Sequence, residues 1–293
     1  MPAFSRRQLV VLVLLTLVWG FNWPVMKIGV EHFPPLTFRM VSLWGGLPIL
    51  ALVMWQQKTP FAIAPVHWPR VLLLAWCNMV MWYALMILAM PLLSSGRAAI
   101  LGYTMPIFSA VIGALFFGDR LATRAWAGVG AALLGVVLLL WHELGALGSS
   151  PMGVSLMLVS AASWALGTQL LRRLPVPVPL FTLSFWMVTI TCVVLTVLAA
   201  LFEHERWHSP DGPALGALVY NAVLALGFAQ VAWFFLVRTL PPVASTLSVM
   251  MIPVLGVFSG TLWLGERLSW QDWAAVGLMV LAIASVLWPA RDT

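Results

Sequence analysis

Charge is what this chain has least of. Asp, Glu, Lys and Arg together make up 8% of its 293 residues, whereas hydrophobic residues make up 62%. A soluble domain carries roughly 25% charged residues, so a chain folded in water is excluded. The two cysteines, Cys77 and Cys192, sit inside apolar runs without metal-ligand spacing. They exclude a disulfide framework and read as buried thiols. Acidic residues are missing from the middle of every apolar run: Glu31, Asp119, Glu143, Glu203, Glu266 and Asp272 fall at run ends or in loops. A pump or proton antiporter usually relies on a membrane-buried carboxylate or histidine, so this absence points to solute movement without direct proton coupling. No phosphate-binding glycine loop is present, which removes ATP as an energy source. His67, His142, His204 and His208 lie in loops and His32 follows Glu31 at a run end. That leaves no catalytic or metal constellation, so neither an enzyme nor a cofactor is expected. The net charge of +6 is scattered over short loops rather than gathered in a patch. It speaks for orientation in a bilayer and against nucleic acid as a partner.

What is there instead is apolar sequence from end to end. Runs of roughly 20 residues suffice to cross about 30 Å of hydrocarbon. Ten such runs are found, at 8–28, 36–55, 69–90, 96–117, 123–141, 152–172, 180–202, 214–237, 243–264 and 270–288. Ser5-Arg6-Arg7 precedes the first in the manner of an export signal. The run is long, holds two Trp and an Asn, and lacks a small-residue cleavage site, so it reads as an uncleaved first helix. Ten Lys and Arg fall on the N-terminal side of the membrane and five on the other. Both termini are therefore expected in the cytoplasm.

The chain also repeats itself. Pro106 to Leu121 (PIFSAVIGALFFGDRL) recurs as Pro253 to Leu268 (PVLGVFSGTLWLGERL), 147 residues later, and Trp126 and Gly130 recur as Trp273 and Gly277. An offset of half the chain means two copies of one unit, residues 1–147 and 148–293. Five spans per unit is odd, so the second copy is expected upside down relative to the first. The expected fold is an all-α integral membrane protein of ten helices in two inverted five-helix repeats, with a site near the midplane between them.

Candidate site residues are polar or aromatic groups deep in the spans. Trp19, Asn22, Trp23 and Met26 recur at i, i+3, i+4 and i+7, on one helix face. Hydrocarbon offers Asn22 no partner, so it either staples two helices or holds a polar group of a solute. Asn78, Trp82 and Tyr83 in the third span, Tyr103 in the fourth, Trp164 in the sixth, and Gln230 and Trp233 in the eighth complete the list. Most of the 17 Trp belong to the interfacial belt, among them Trp55, Trp68, Trp126, Trp141, Trp207, Trp270, Trp273 and Trp288. Trp19, Trp82, Trp164 and Trp233 lie deeper, and rings with a few polar groups suit a mostly apolar or aromatic solute. Pro106 and Pro253 are paired helix breakers and candidate hinges, or static kinks that shape the bundle. Gly128, Gly130 and Gly135, and Gly256 with Gly260, suit close helix packing. Lys27, Arg39 and Arg97 near the outer ends either attract an anionic group or snorkel to headgroups, the commoner behaviour.

The doubled Gly-Asp/Glu-Arg-Leu motif, the ten spans and the Trp-Gly-x-Asn-x-x-x-x-Lys run from Trp19 to Lys27 resemble the drug/metabolite transporter superfamily. Within its EamA branch the chain is similar to the YddG-type exporters of aromatic amino acids, over essentially its whole length. The resemblance implies a central cavity around Trp19, Asn22, Trp82, Tyr83, Tyr103 and Trp164. It lacks the first-span glutamate of the small multidrug-resistance branch. The expectation is an inner-membrane exporter of amino acids, aromatic ones preferred, with no obligate protein partner beyond the lipid bilayer. A carrier of another small metabolite or drug-like solute and a non-transporting scaffold are the alternatives.

Overall fold

A computed structural model describes residues 5–121, 123–145, 151–239 and 242–287. Their regular structure is helical throughout: Arg6–His32 (α1), Pro35–Gln56 (α2), Pro65–Leu92 (α3), Ser95–Phe117 (α4), Thr123–Gly145 (α5), Pro151–Arg173 (α6), Leu180–Phe202 (α7), Gly212–Leu236 (α8), Pro242–Leu264 (α9) and Trp270–Leu287 (α10). Among the described residues seven helices, α1 to α4 and α6 to α8, are long and apolar enough to cross a membrane. The apolar stretches of the others are shorter, at Thr123–Leu139, Met251–Leu264 and Trp270–Ser285.

Hydrogen-bond donors at helix starts cannot be left bare in an apolar medium, and the sequence supplies acceptors for them. Ser5 and Gln8 form a reciprocal capping box on α1, with the Gln8 amide donating to Ser5 Oγ at 3.2 Å and the Ser5 amide to Gln8 Oε1 at 2.9 Å. Pro35 opens α2, whose next two amides, Leu36 and Thr37, donate to the buried Glu203 carboxylate at 3.0 and 2.8 Å. Outside the spans, Asp211 accepts from the Ala214 amide at the start of α8 and pairs with His32 at 2.6 Å. Those hydrogen bonds hold its carboxyl below the usual range.

The packing has a regular form. α1 lies on α8 and α9; α6 lies on α3 and α4. α2 touches α7 and α8, and α7 touches α2 and α3; α4 crosses α9, and α5 pairs with α10. The glycines of α5 divide in role. A Cβ on Gly128 would meet Ser285 Oγ, and one on Gly135 would reach Ala275 and Leu278, so both face α10. Gly130 and its repeat mate Gly277 face open space.

Among the described residues two helices contain a π-helical stretch, Ala75–Val80 in α3 and Tyr220–Phe228 in α8. Shifted by the 147-residue offset, the first falls inside the second. Such a stretch withdraws backbone groups from the regular ladder, and helices keep it where those groups find other partners. Here Ser163 of α6 donates to the Cys77 carbonyl at 2.7 Å, and the Trp19 indole of α1 donates to the Ala225 carbonyl at 3.3 Å.

Candidate functional site

The aromatic face of α1 packs inward as its spacing predicts. The Trp19 ring lies 5.8 Å from that of Trp233 on α8. α3 and α6 make a corresponding pair, Trp82 and Trp164, with ring centroids 5.6 Å apart and planes at 61°. A third contact joins Trp23 of α1 edge-on to Tyr103 of α4 at 6.2 Å. Such pairs contribute about 0.5–1.5 kcal/mol beyond the area they bury. Gly102 and Gly256 leave room for Trp23: a Cβ at either would come within about 3.1 Å of its ring.

The polar candidates divide. Asn78, on the π-helical stretch of α3, donates through Nδ2 to the Trp164 carbonyl at 3.0 Å and to Thr168 Oγ1 at 3.3 Å. It staples α3 to α6, a bond worth roughly 0.6 kcal/mol in a membrane. Gly167 makes this possible, because a Cβ there would stand 2.5 Å from Asn78 Cβ. Gln230 is half-buried on α8, three residues before Trp233. Asn22 is different: its Oδ1 is buried and has no hydrogen-bond partner. Tyr83 lies beneath the Arg39 guanidinium, 5.2 Å from ring to charge.

The snorkelling expected of Lys27, Arg39 and Arg97 is not what the structure shows. Lys27 Nζ donates to the carbonyls of Met90 and Pro91 at 3.1 Å each and lies 3.6 Å from Glu31. Arg97 Nε donates to Asp272 at 2.8 Å, and that carboxylate also accepts from Ser269. Arg39 is only 4% exposed. Its neighbours are neutral: Nη1 reaches Asn221 Oδ1 at 3.3 Å, Nη2 points at the Met26 thioether, and Nε is buried without a partner. Among the described residues no carboxylate lies within ion-pair distance of it. Helix packing, not stem length, decides the outcome, since α1, α3 and α8 close over Arg39 before its stem can reach an interface. A buried cation costs several kcal/mol unless paired, so an unpaired one is a functional signal. In sequence Arg39 looks like a snorkelling cation near a span end. Asn221 and Met26 would have marked it, each being a polar or soft atom at the same depth on a neighbouring helix.

Pro106 and Pro253 are not equivalent. Tyr103 and Thr104 interrupt α4, and Pro106 sits in the first turn of the segment Met105–Phe117, where its missing N–H costs nothing. Pro253 lies inside α9, which runs on through it. The matched interruptions are instead the π-helical stretches of α3 and α8. Neither contains proline, though Asn78 and Asn221 each place an amide in one.

A cleft of about 290 Å³ opens beside α8. It is lined by Arg7 and Val11 from the start of α1, Gln57 after α2, Phe181 from α7, and Phe228, Val231, Ala232, Phe234, Phe235 and Thr239. This is the N-terminal side of the bundle, and none of the candidate residues named from the sequence is in its lining.

The model of the EamA-like transporter family matches this chain twice, over residues 7–141 and 151–288. The chain is 29% identical over 286 residues to the uncharacterized inner membrane transporter YedA of Escherichia coli K12, covering 94% of this chain and 91% of that one. It is 26% identical over 259 residues to the uncharacterized transporter YoaV of Bacillus subtilis, covering 88% and 89%. It is 25% identical over 291 residues to a protein of Salmonella typhimurium named "Probable amino-acid metabolite efflux pump", covering 95% and 94%. A solved crystal structure, 20% identical, superposes with a TM-score of 0.70 over 99% of this chain and all of the other, a likeness of fold alone.

Proposed function

This chain belongs to the EamA-like transporter family, and we propose that it exports amino acids, aromatic ones preferred, across the inner membrane by alternating access. In this reading all ten helices span the bilayer, both termini are cytoplasmic, and residues 148–293 repeat 1–147 upside down. The packing supports it. Adding five to each helix number turns α1 on α8 into α6 on α3, α1 on α9 into α6 on α4, and α2 on α8 into α7 on α3, and each of those contacts exists. Three further contacts, α2 with α7, α4 with α9 and α5 with α10, map onto themselves. That is the pattern a two-fold axis in the membrane plane would produce.

The observation that carries the aromatic preference is the placement of the tryptophan pairs. Trp19–Trp233 and Trp82–Trp164 bridge exchange-related helix contacts, and Trp23–Tyr103 bridges α1 and α4. Faces that must separate and close again thus carry flat apolar rings, which an aromatic side chain can replace one for one. The N-terminal-side cleft beside α8 supports a resting state with its vestibule toward the cytoplasm. Among the described residues the buried carboxylates are engaged, Glu203 by the Leu36 and Thr37 amides and Asp272 by Arg97 and Ser269, so movement down the solute gradient is the simplest energetics.

The test is uptake of labelled tryptophan and phenylalanine into proteoliposomes, with and without a pH gradient. Saturable uptake indifferent to the gradient is expected. Uptake no faster than in empty liposomes would withdraw the substrate assignment, and uptake of unrelated solutes at equal rates would withdraw the aromatic preference.

A further inference from the structure

We propose that Arg39 and Asn22 form a head-group site for a carboxylate-bearing solute, with Arg39 taking the carboxylate and Asn22 a neighbouring donor such as an α-ammonium. The proposal deepens the export reading and rests on it for the identity of the solute, but not for the chemistry of the site.

The argument starts from the edges of the guanidinium. Arginine presents its donors in a planar fork, and Nε and Nη2 lie along one edge of that plane. In Arg39 the third nitrogen, Nη1, is committed to Asn221 Oδ1 of α8. The Nε/Nη2 edge is not committed in the same sense: Nε has no acceptor, and Nη2 meets only the Met26 sulfur. A thioether is a weak acceptor on a flexible, unbranched side chain, and it yields readily. The open edge is the one that binds a carboxylate through two parallel hydrogen bonds. A buried cation among neutral partners is also short of one negative charge, which a carboxylate would supply.

A second buried atom lies nearby on the same framework. Asn22 Oδ1, on α1, is also buried without a partner, four residues before Met26. Positions i and i+4 stand one above the other, about 6 Å apart along the axis. An unmet acceptor on α1, and an unmet donor edge that meets α1 one turn further on at Met26, are the complement of a zwitterion's two charges. The floor is aromatic, with the Tyr83 ring 5.2 Å from the guanidinium, one residue from Trp82. The contrast with Arg97 is what singles Arg39 out. Arg97 lies near the start of α4 as Arg39 lies near the start of α2, but it is closed by Asp272. Lys27 is closed by two carbonyls and Glu31.

The experiment measures stabilisation of the purified protein in detergent by paired probes: tryptophan against tryptophanamide, and indole-3-acetate against indole-3-acetamide. Wild type, Arg39→Met, Arg39→Lys and Asn22→Leu are compared, and tryptophan uptake into proteoliposomes is run in parallel. We expect each carboxylate to bind wild type at least tenfold more tightly than its amide. Arg39→Met should erase that ratio while leaving amide binding within twofold, and Arg39→Lys should keep part of it. Asn22→Leu should weaken tryptophan and tryptophanamide alike, several-fold, and leave indole-3-acetate unaffected, because that probe lacks the ammonium. The melting temperature of Arg39→Met without ligand should not fall, since an unpaired buried charge is removed; this separates binding from folding. A carboxylate preference that survives Arg39→Met overturns the proposal, and so does its absence from wild type. Tryptophan uptake with no Arg39-dependent carboxylate preference would leave the export reading standing and the head-group site refuted. Arg39-dependent binding of indole-3-acetate without tryptophan uptake would do the reverse.

Discussion

The two copies of the Gly-Asp/Glu-Arg-Leu motif have one backbone and two employments. In each, a helix ends on a left-handed glycine, Gly118 at φ 71° and Gly265 at φ 64°. In each, the amide of the following acid returns to the carbonyl of a glycine six residues back: Asp119 to Gly113 at 3.0 Å, and Glu266 to Gly260 at 3.4 Å. In each, the acid folds over that glycine, where a Cβ would collide with its carboxylate. The side chains then part. Asp119 pairs with Arg173 at the end of α6 at 2.7 Å, in a partly exposed contact. Glu266, one methylene longer, reaches the start of α4 and accepts from the Ser95 and Gly96 amides at 2.6 and 3.2 Å. A repeated motif thus conserves a turn, while its environment decides what the acid does.

The largest expected effect separates the acids. Glu266→Ala leaves two helix-start donors without an acceptor in an apolar setting, which costs about 2–3 kcal/mol and should lower the melting temperature in detergent by several degrees. Asp119→Ala loses a partly exposed ion pair and should cost about 1 kcal/mol or less. Equal losses would break the comparison. Next comes Gly260→Ala, whose Cβ would stand 2.3 Å from Ser95 Oγ and 2.6 Å from Glu266 Oε2. Because Glu266 is tied to α4, relief is expensive, and about 1–2 kcal/mol is expected. Gly113→Ala meets Asp119 and Gln169 instead; Gln169 is buried and bonded to Ser109 and Arg173, so a similar cost of about 1–2 kcal/mol is expected. Gly118→Ala and Gly265→Ala sharpen the shared part: both place a Cβ at positive φ, and both should cost about 1 kcal/mol. A difference between them larger than the error of the melts would mean the turns are not equivalent. The smallest effect is expected from the prolines. Pro106→Ala, at a helix start, should leave stability and uptake nearly unchanged, whereas Pro253→Ala, inside α9, should slow tryptophan uptake a few-fold while binding holds. Equal loss of binding and rate at Pro253 would remove it as a hinge.

Much of the architecture was legible because it follows from local pattern. Apolar runs and breakers located the helices to within a few residues, and the α1 face of Trp19, Asn22, Trp23 and Met26 does turn inward. Of the tryptophans expected in the interfacial belt, Trp55, Trp141 and Trp270 are each about 70% exposed, Trp68 packs edge-on against Trp186 at 5.0 Å, and Trp288 lies outside the described residues. The site was legible only in part. Asn78 and Asn22 look alike in sequence, each an amide among aromatics. One is satisfied by the Trp164 carbonyl and Thr168, and the other keeps an orphan oxygen. Proline marked Pro106 and Pro253 as a matched pair, yet the matched interruptions are π-helical stretches that no helix breaker announces.

Periodicity and the 147-residue repeat by themselves determined an all-helical, apolar, duplicated chain with an aromatic interior, because each follows from the spacing of residue types along one helix. Only the tertiary structure decided which polar groups are paired. Whether a donor meets an acceptor depends on the depth, rotation and approach of a second helix distant in the chain. Arg97 and Arg39 read alike as cations at the same end of their spans; folding brought Asp272 to one, and left the other with a thioether, an amide oxygen and an open edge.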